Sequence, residues 1–134
     1  MTLKLLYVAQ DEAKKIADQL LETDPEAFPR AMDGKSSRKQ ECVLIENNGN
    51  PIGFANVTSG DGACEIYRFF IAADDRNSGF GKAAANLLME DLQARKIYQG
   101  CYLEIAEDKI EFWNKAINDL ELLSDDTGMH YKEF

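Results

Sequence analysis

The stretch Arg76-Asn77-Ser78-Gly79-Phe80-Gly81 has residue types and a spacing suited to holding a phosphate. Two glycines one residue apart let the backbone turn with positive φ, so successive N–H groups can converge on an anion where a helix begins. The helix start adds unpaired N–H donors and the positive end of its dipole, and Lys82 follows directly. Together these suit a pyrophosphate without requiring many basic side chains.

The neighbouring elements must aim that cradle. Cys64 to Ile71 is rich in aromatic and branched residues, the composition of a half-buried strand. Beyond the glycines, Ala85, Leu88, Met89 and Leu92 recur at helical spacing, with Ala84 and Leu87 widening the apolar face. The order is strand, polar turn, glycines, helix. A nucleotide P-loop is excluded, because the segment lacks the earlier glycine and the hydroxyl residue after the lysine. Gly79-Phe80-Gly81-Lys82-Ala83-Ala84 fits the relaxed dinucleotide pattern, with Glu104 downstream. Yet Asp74 to Ser78 separates strand from glycine where that motif turns almost at once. A helix that simply starts after a flexible turn also fits.

Other segments read as follows. Leu3 to Val8 is a strand, and Asp11 is placed to cap a helix whose Ala13, Ile16, Ala17, Leu20 and Leu21 make one apolar stripe. Pro25 and Pro29 bracket a short helix or turn leading into the polar loop Asp33 to Gln40. Cys42 to Ile45 and Ile52 to Val57 flank Asn48-Gly49, a hairpin signal because both residues tolerate positive φ. A second turn at Ser59 to Gly62 feeds the strand containing Glu65. Cys101 to Ile105 is a strand parallel to it if the intervening helix is a crossover. Glu107 to Ile117 is a helix, and two short strands surround Leu122 and Tyr131.

At 134 residues the chain suits one compact domain, 1–134. Apolar residues at 45% against 29% charged give a globular rather than disordered balance, and no apolar run spans a membrane. With no signal-peptide or transit-peptide layout at its start, a cytoplasmic location is expected. Cys42, Cys64 and Cys101 form no C-x-x-C pair and predict buried, reduced thiols. His130, the sole histidine, cannot build a metal site by itself. A net charge of −9 argues against nucleic acid, and Lys35 to Lys39 reads as a solvated loop. The acidity concentrated from Glu104 to Asp126 would favour a cationic acceptor such as a polyamine, an aminosugar or a lysine side chain.

Arg76, Gly79 and Gly81, with Ile71 ending the preceding strand, resemble motif A of the GNAT superfamily of N-acetyltransferases, whose pattern is Arg or Gln, two residues, Gly, one residue, then Gly or Ala. The element order also resembles the GNAT fold across essentially the whole chain. The fold expected is single-domain mixed α/β (α+β), with a mostly antiparallel sheet and flanking helices. Ile110 to Lys115 resembles the family's later helix segment, with Trp113 where many members have a proton-donating tyrosine. Indole N–H is far too weak an acid for that role, so Trp113 is read as packing against cofactor or core.

The resemblance implies acetyl-coenzyme A in a wedge between the Glu65 and Cys101 strands. Backbone groups near Phe69, Phe70 and Ile71 would bind the pantetheine arm, and Arg76, Asn77, Ser78, Gly79, Phe80, Gly81 and Lys82 the pyrophosphate. A strand N–H would stabilise the oxyanion. Glu65 stands where some members use a glutamate base, and partial burial would raise its pKa. The competing role is a structural ion pair with a neighbouring strand. Tyr131 and Tyr102 are candidate proton donors, with a structural role the favoured reading and the general acid left unassigned. The expected activity is acetyl transfer to a primary amine of a small molecule or peptide by direct attack, without metal. A noncatalytic acyl-coenzyme A-binding module and, less favoured, an NAD-type protein are the alternatives.

Overall fold

Two tight turns fold the middle of the chain into an antiparallel meander. Strand β2 (Lys39–Asn47) meets β3 (Asn50–Gly60) through Asn48 and Gly49, at φ 53° and 83°. Positive φ at both positions matches the strand twist. Asp61 and Gly62, at φ 55° and 77°, repeat the device between β3 and β4 (Ala63–Ile71). The computed structural model describes residues 2–27 and 39–134. The Asp33 to Gln40 loop before Lys39, the Pro25 to Pro29 segment beyond Ala27, and the basic stretch before Lys39 therefore lie outside the described residues.

Strand β1 (Leu3–Val8) precedes helix α1 (Gln10–Leu21). After β4 come a 3₁₀ turn (Ala73–Asp75), helix α2 (Phe80–Ala94) and β5 (Gly100–Glu104). A second 3₁₀ turn (Glu107–Lys109), helix α3 (Ile110–Ala116), β6 (Glu121–Ser124) and β7 (Met129–Glu133) complete the order. Among the described residues seven strands form one sheet, β1-β2-β3-β4-β5-β7-β6, in which only β4 and β5 run parallel. The α2 crossover explains that exception, since parallel neighbours cannot be joined by a tight turn. The architecture is the expected mixed α/β, mostly antiparallel sheet with flanking helices.

Strand alternation sends successive side chains to opposite faces. Val43, Ala55, Val57, Cys64, Ile66, Cys101 and Leu103 pack against Leu88, Leu92, Trp113 and their neighbours on α2 and α3. Cys42, Leu44, Phe54 and Phe70 meet Ala13, Ala17 and Leu21 of α1 on the other face. Among the described residues, no helix is long and apolar enough to cross a membrane.

Two expectations change in detail. Asp11 is not the cap of α1: Ala9 occupies that position without a side-chain bond, and Asp11 lies in the first turn, where its charge suits the dipole. The Glu107 to Ile117 helix divides into a 3₁₀ turn and a shorter α3, with Ile117 already extended.

Where β3 crosses β4 the backbones are too close for a side chain on Gly53: a Cβ there would lie 2.3 Å from the Phe70 carbonyl oxygen. Gly53→Ala is expected to cost about 1–3 kcal/mol through overpacking, read as a lower urea midpoint. An unchanged midpoint would contradict this close approach.

Candidate functional site

The β4–β5 ladder ends almost as soon as it begins. Only Cys64↔Cys101 and Glu65↔Tyr102 are in register, although β4 runs on to Ile71. On its other side, β4 continues along β3 but bulges: Val57 pairs with Ile66 and Asn56 with Arg68, leaving Tyr67 as the extra residue. A bulge bends its strand and increases local twist. Past Glu65 the two strands diverge, and a cleft of about 860 Å³ opens between Ile66–Ile71 and Leu103–Ala106.

Backbone direction in β4 follows from two contacts. The Ala72 N–H donates to the Ile52 carbonyl of β3 at 2.7 Å. Because N–H direction alternates along a strand, Phe70 also faces β3, whereas Phe69 and Ile71 face the cleft. The Ile71 carbonyl accepts from Arg76 Nε at 2.8 Å, as that parity requires. The cleft-facing N–H donors are therefore those of Phe69 and Ile71. Phe70 instead places its ring against Phe54, with centroids 5.3 Å apart, and carries the Arg76 guanidinium 5.0 Å above it.

Beyond the strand, Gly79 (φ 82°) turns the chain into α2 as its N-cap, and Asn77 (φ 64°) makes the preceding turn. The Ala83 N–H closes on the Gly79 carbonyl at 3.1 Å, so Phe80, Gly81 and Lys82 hold N–H groups with no partner inside the helix. No acidic residue occupies the first turn of α2. The paired-glycine turn expected from the sequence is corrected here. Gly79 alone adopts positive φ; Gly81 is helical and is constrained by space, since a Cβ would sit 3.1 Å from Phe112 Cε1. That contact brings α3 against the start of α2, and Lys82, Lys109 and Lys115 all line this part of the cleft. Lys115 also pairs with Glu111 at 2.8 Å.

Of the residues expected to bind cofactor, Phe69, Phe70, Ile71, Arg76, Asn77, Gly79, Gly81, Lys82 and Trp113 line the cleft. Ser78 is exposed outside it, and Phe80 packs its ring towards Ile45, Ile52 and Ile71. The Arg76 side chain is committed to the Ile71 carbonyl and to Asp24 Oδ2 at 3.0 Å, so it ties the end of α1 to the cradle. Trp113 is buried edge-on against Phe69, centroids 5.2 Å apart.

Glu65 does not line the cleft. It is half-buried at the apex of the splay, on the face opposite Cys64 and Ile66. Tyr102 is its register partner, and the Tyr131 ring stands 4.8 Å from that of Tyr102. The three candidate proton-transfer residues therefore share one face on neighbouring strands. Burial first, then the neighbouring Tyr102, hold the Tyr131 phenol above its ordinary pKa. Sequence reasoning missed Tyr67, Arg68, Asp24 and Phe112. The bulge has no local signature, and the other contacts depend on distant segments meeting.

A sequence model of the acetyltransferase (GNAT) family matches residues 7–116. The chain belongs to that family and is, by that membership, an acetyl-coenzyme A-dependent N-acetyltransferase. No curated protein matches it in sequence. Solved structures share the fold at low identity. An acetyltransferase from Thermus thermophilus is 14% identical over 100% of this chain and 98% of its own, with TM-score 0.76. The PaiA N-acetyltransferase from Thermoplasma acidophilum, in complex with coenzyme A, is 12% identical over 100% of both chains, with TM-score 0.68. A spermidine N-acetyltransferase SpeG chimera from Vibrio cholerae and hSSAT is 12% identical over 99% of this chain and 96% of its own, with TM-score 0.71.

All three cysteines are free and buried. Burial raises the Cys42 thiol, and the neighbouring Cys64 thiol followed by burial raises Cys101 well above the ordinary value. Native protein at pH 8 is therefore expected to leave a disulfide-type thiol reagent unreacted, with three thiols released on unfolding. Rapid labelling of Cys64 or Cys101 in native protein would refute the sealed β4–β5 apex. Gly79→Ala is expected to cost about 1–2 kcal/mol in thermal unfolding because of its left-handed φ. Gly81→Ala carries no left-handed penalty but meets Phe112, so the turn is tested at Gly79: a Gly79→Ala variant as stable as wild type would contradict it.

Proposed function

We propose that acetyl-coenzyme A lies in the β4–β5 cleft and that a primary amine attacks it directly. The observation that carries this reading is the early end of the β4–β5 ladder, which leaves the Phe69 and Ile71 N–H groups facing a cleft whose far end is the start of α2. The cradle fits a pyrophosphate: three N–H groups have no partner within the helix, Gly79 supplies the turn and no acidic side chain in the first turn opposes an anion. When bound, acetyl-coenzyme A supplies a thioester carbonyl; its C–S bond breaks as the acceptor's N–C bond forms, the amine loses a proton and coenzyme A leaves as the thiol.

The residues of this chain have separable roles. The Phe69 and Ile71 N–H groups bind the pantetheine amides as an added strand would, and one of them stabilises the oxyanion. Gly79 to Lys82 hold the pyrophosphate, with Lys82, Lys109 and Lys115 supplying positive charge in a chain of net −9. An amine of pKa ~10 is mostly protonated at neutral pH and must lose a proton before attack. Glu65 is assigned as the base, reached from the α1 face or through water, and Tyr131 or Tyr102 as donor to the departing thiolate. Trp113 packs on Phe69 and takes no proton.

Calorimetry with coenzyme A and acetyl-coenzyme A, with NAD as control, tests the cleft. Coenzyme A is expected to bind wild type and to be lost in Gly79→Asp and Gly81→Asp; binding of NAD alone would overturn the assignment. Coenzyme A release in the presence of a suitable amine is expected, and binding without any release would favour a noncatalytic module. Glu65→Gln is expected to lower kcat by about 10²-fold or more with coenzyme A affinity unchanged. An undiminished kcat would reject the base.

A further inference from the structure

Beside the cleft, on the α1 face of the sheet, are polar side chains that neither the core nor the cofactor cradle explains. Asn56 of β3 is wholly buried, and among the described residues neither its Nδ2 nor its Oδ1 has a hydrogen-bond partner. Its register partner across the bulge is Arg68, itself 9% exposed. Two residues along β3, Thr58 is buried on the same face. Arg68 lines the cleft with Tyr67, its guanidinium 5.1 Å from the centre of the Tyr67 ring.

Each of these residues is costly to keep. An enclosed carboxamide with both ends unpaired forfeits its hydration without compensation, and a leucine of similar volume would pack there without that loss. A guanidinium taken largely out of water carries a desolvation cost even where it is paired. Arginine has five donors in a planar fork that matches a carboxylate in two places, so contacts already made leave capacity for a ligand. Arg68 directly precedes Phe69, whose N–H faces the thioester site, so the Cα atoms that carry the guanidinium and that donor are about 3.8 Å apart. A carboxylate held by Arg68 would present an amine a few bonds away to the acyl carbon.

Building on the cleft function argued above, we propose that Arg68, positioned by Asn56, is a carboxylate subsite and that the acceptor is an amine bearing a nearby carboxylate, of amino-acid type. Asn56, buried behind the cleft wall, offers its Oδ1 to an N–H of the guanidinium as it turns to the ligand. This replaces the polyamine expectation drawn from bulk acidity. Asp119, Glu121, Asp125 and Asp126 do not line the cleft; of the late acidic residues, Glu104 and Asp108 do, on the β5 and α3 side.

The test is release of coenzyme A from acetyl-coenzyme A with the twenty amino acids, their carboxamides and spermidine as acceptors. At least one amino acid should exceed its own amide by about ten-fold or more in kcat/KM. Arg68→Gln and Arg68→Lys should abolish that preference while coenzyme A affinity holds. Asn56→Leu should raise the amino-acid KM by about ten-fold without lowering Tm, a combination a purely structural asparagine would not produce. Equal use of acids and amides, preference for spermidine, or no turnover of any amino acid while coenzyme A binds would overturn the subsite alone. Failure of wild type to bind coenzyme A would overturn the cleft assignment as well.

Discussion

The site depends on one constraint: two parallel strands that pair for two residues and then part. Cys64↔Cys101 and Glu65↔Tyr102 hold β4 to β5, and beyond them the bulge at Tyr67 keeps β4 bending with β3 instead. Unpaired strand edges are normally a liability, because N–H and C=O groups need partners. Here the liability becomes a template on which an extended amide-containing ligand can complete the sheet. The buried thiols of Cys64 and Cys101 close the apex of the splay, and Cys64 followed by burial holds the Cys101 thiol above its ordinary pKa.

Elements on either side of the splay hold it open. Arg76 clamps the Ile71 carbonyl and reaches Asp24 beyond the end of α1, so the cradle, the strand end and the first helix are tied into one unit. On the opposite wall, Phe112 covers Gly81, and Trp113 meets both Phe69 and Phe112 edge-on. The aromatic wall thus spans from β4 to the start of α2. Glu65, Tyr102 and Arg68 lie on the α1 face of the sheet.

Much of this was legible along the chain. The Asn48-Gly49 hairpin, the α1 and α2 stripes, the final strand pair and the turn at Asp61-Gly62 appear where local chemistry predicts, because each depends on residues within a turn or two of one another. The glycine cradle was also visible, but with the wrong reason attached to Gly81. A spacing of one residue suggests two left-handed turns, whereas Gly81 is small because a ring from α3 lies over it. Asp11 looked like a cap and is not, because the helix begins one residue before it.

By itself the sequence determined the element order and the mixed sheet, since propensity, periodicity and turn chemistry are local properties; the reading of Glu65 as a base rests on the family resemblance. Only the tertiary structure decided which β4 amides face the cleft, that Arg76 commits its side chain to Asp24, and that an unpaired Asn56 lies behind a cleft-wall arginine. Those facts arise where strand register, a single-residue bulge and contacts between distant segments combine. A bulge reverses the facing of every residue after it without changing the apolar pattern enough to be read in advance.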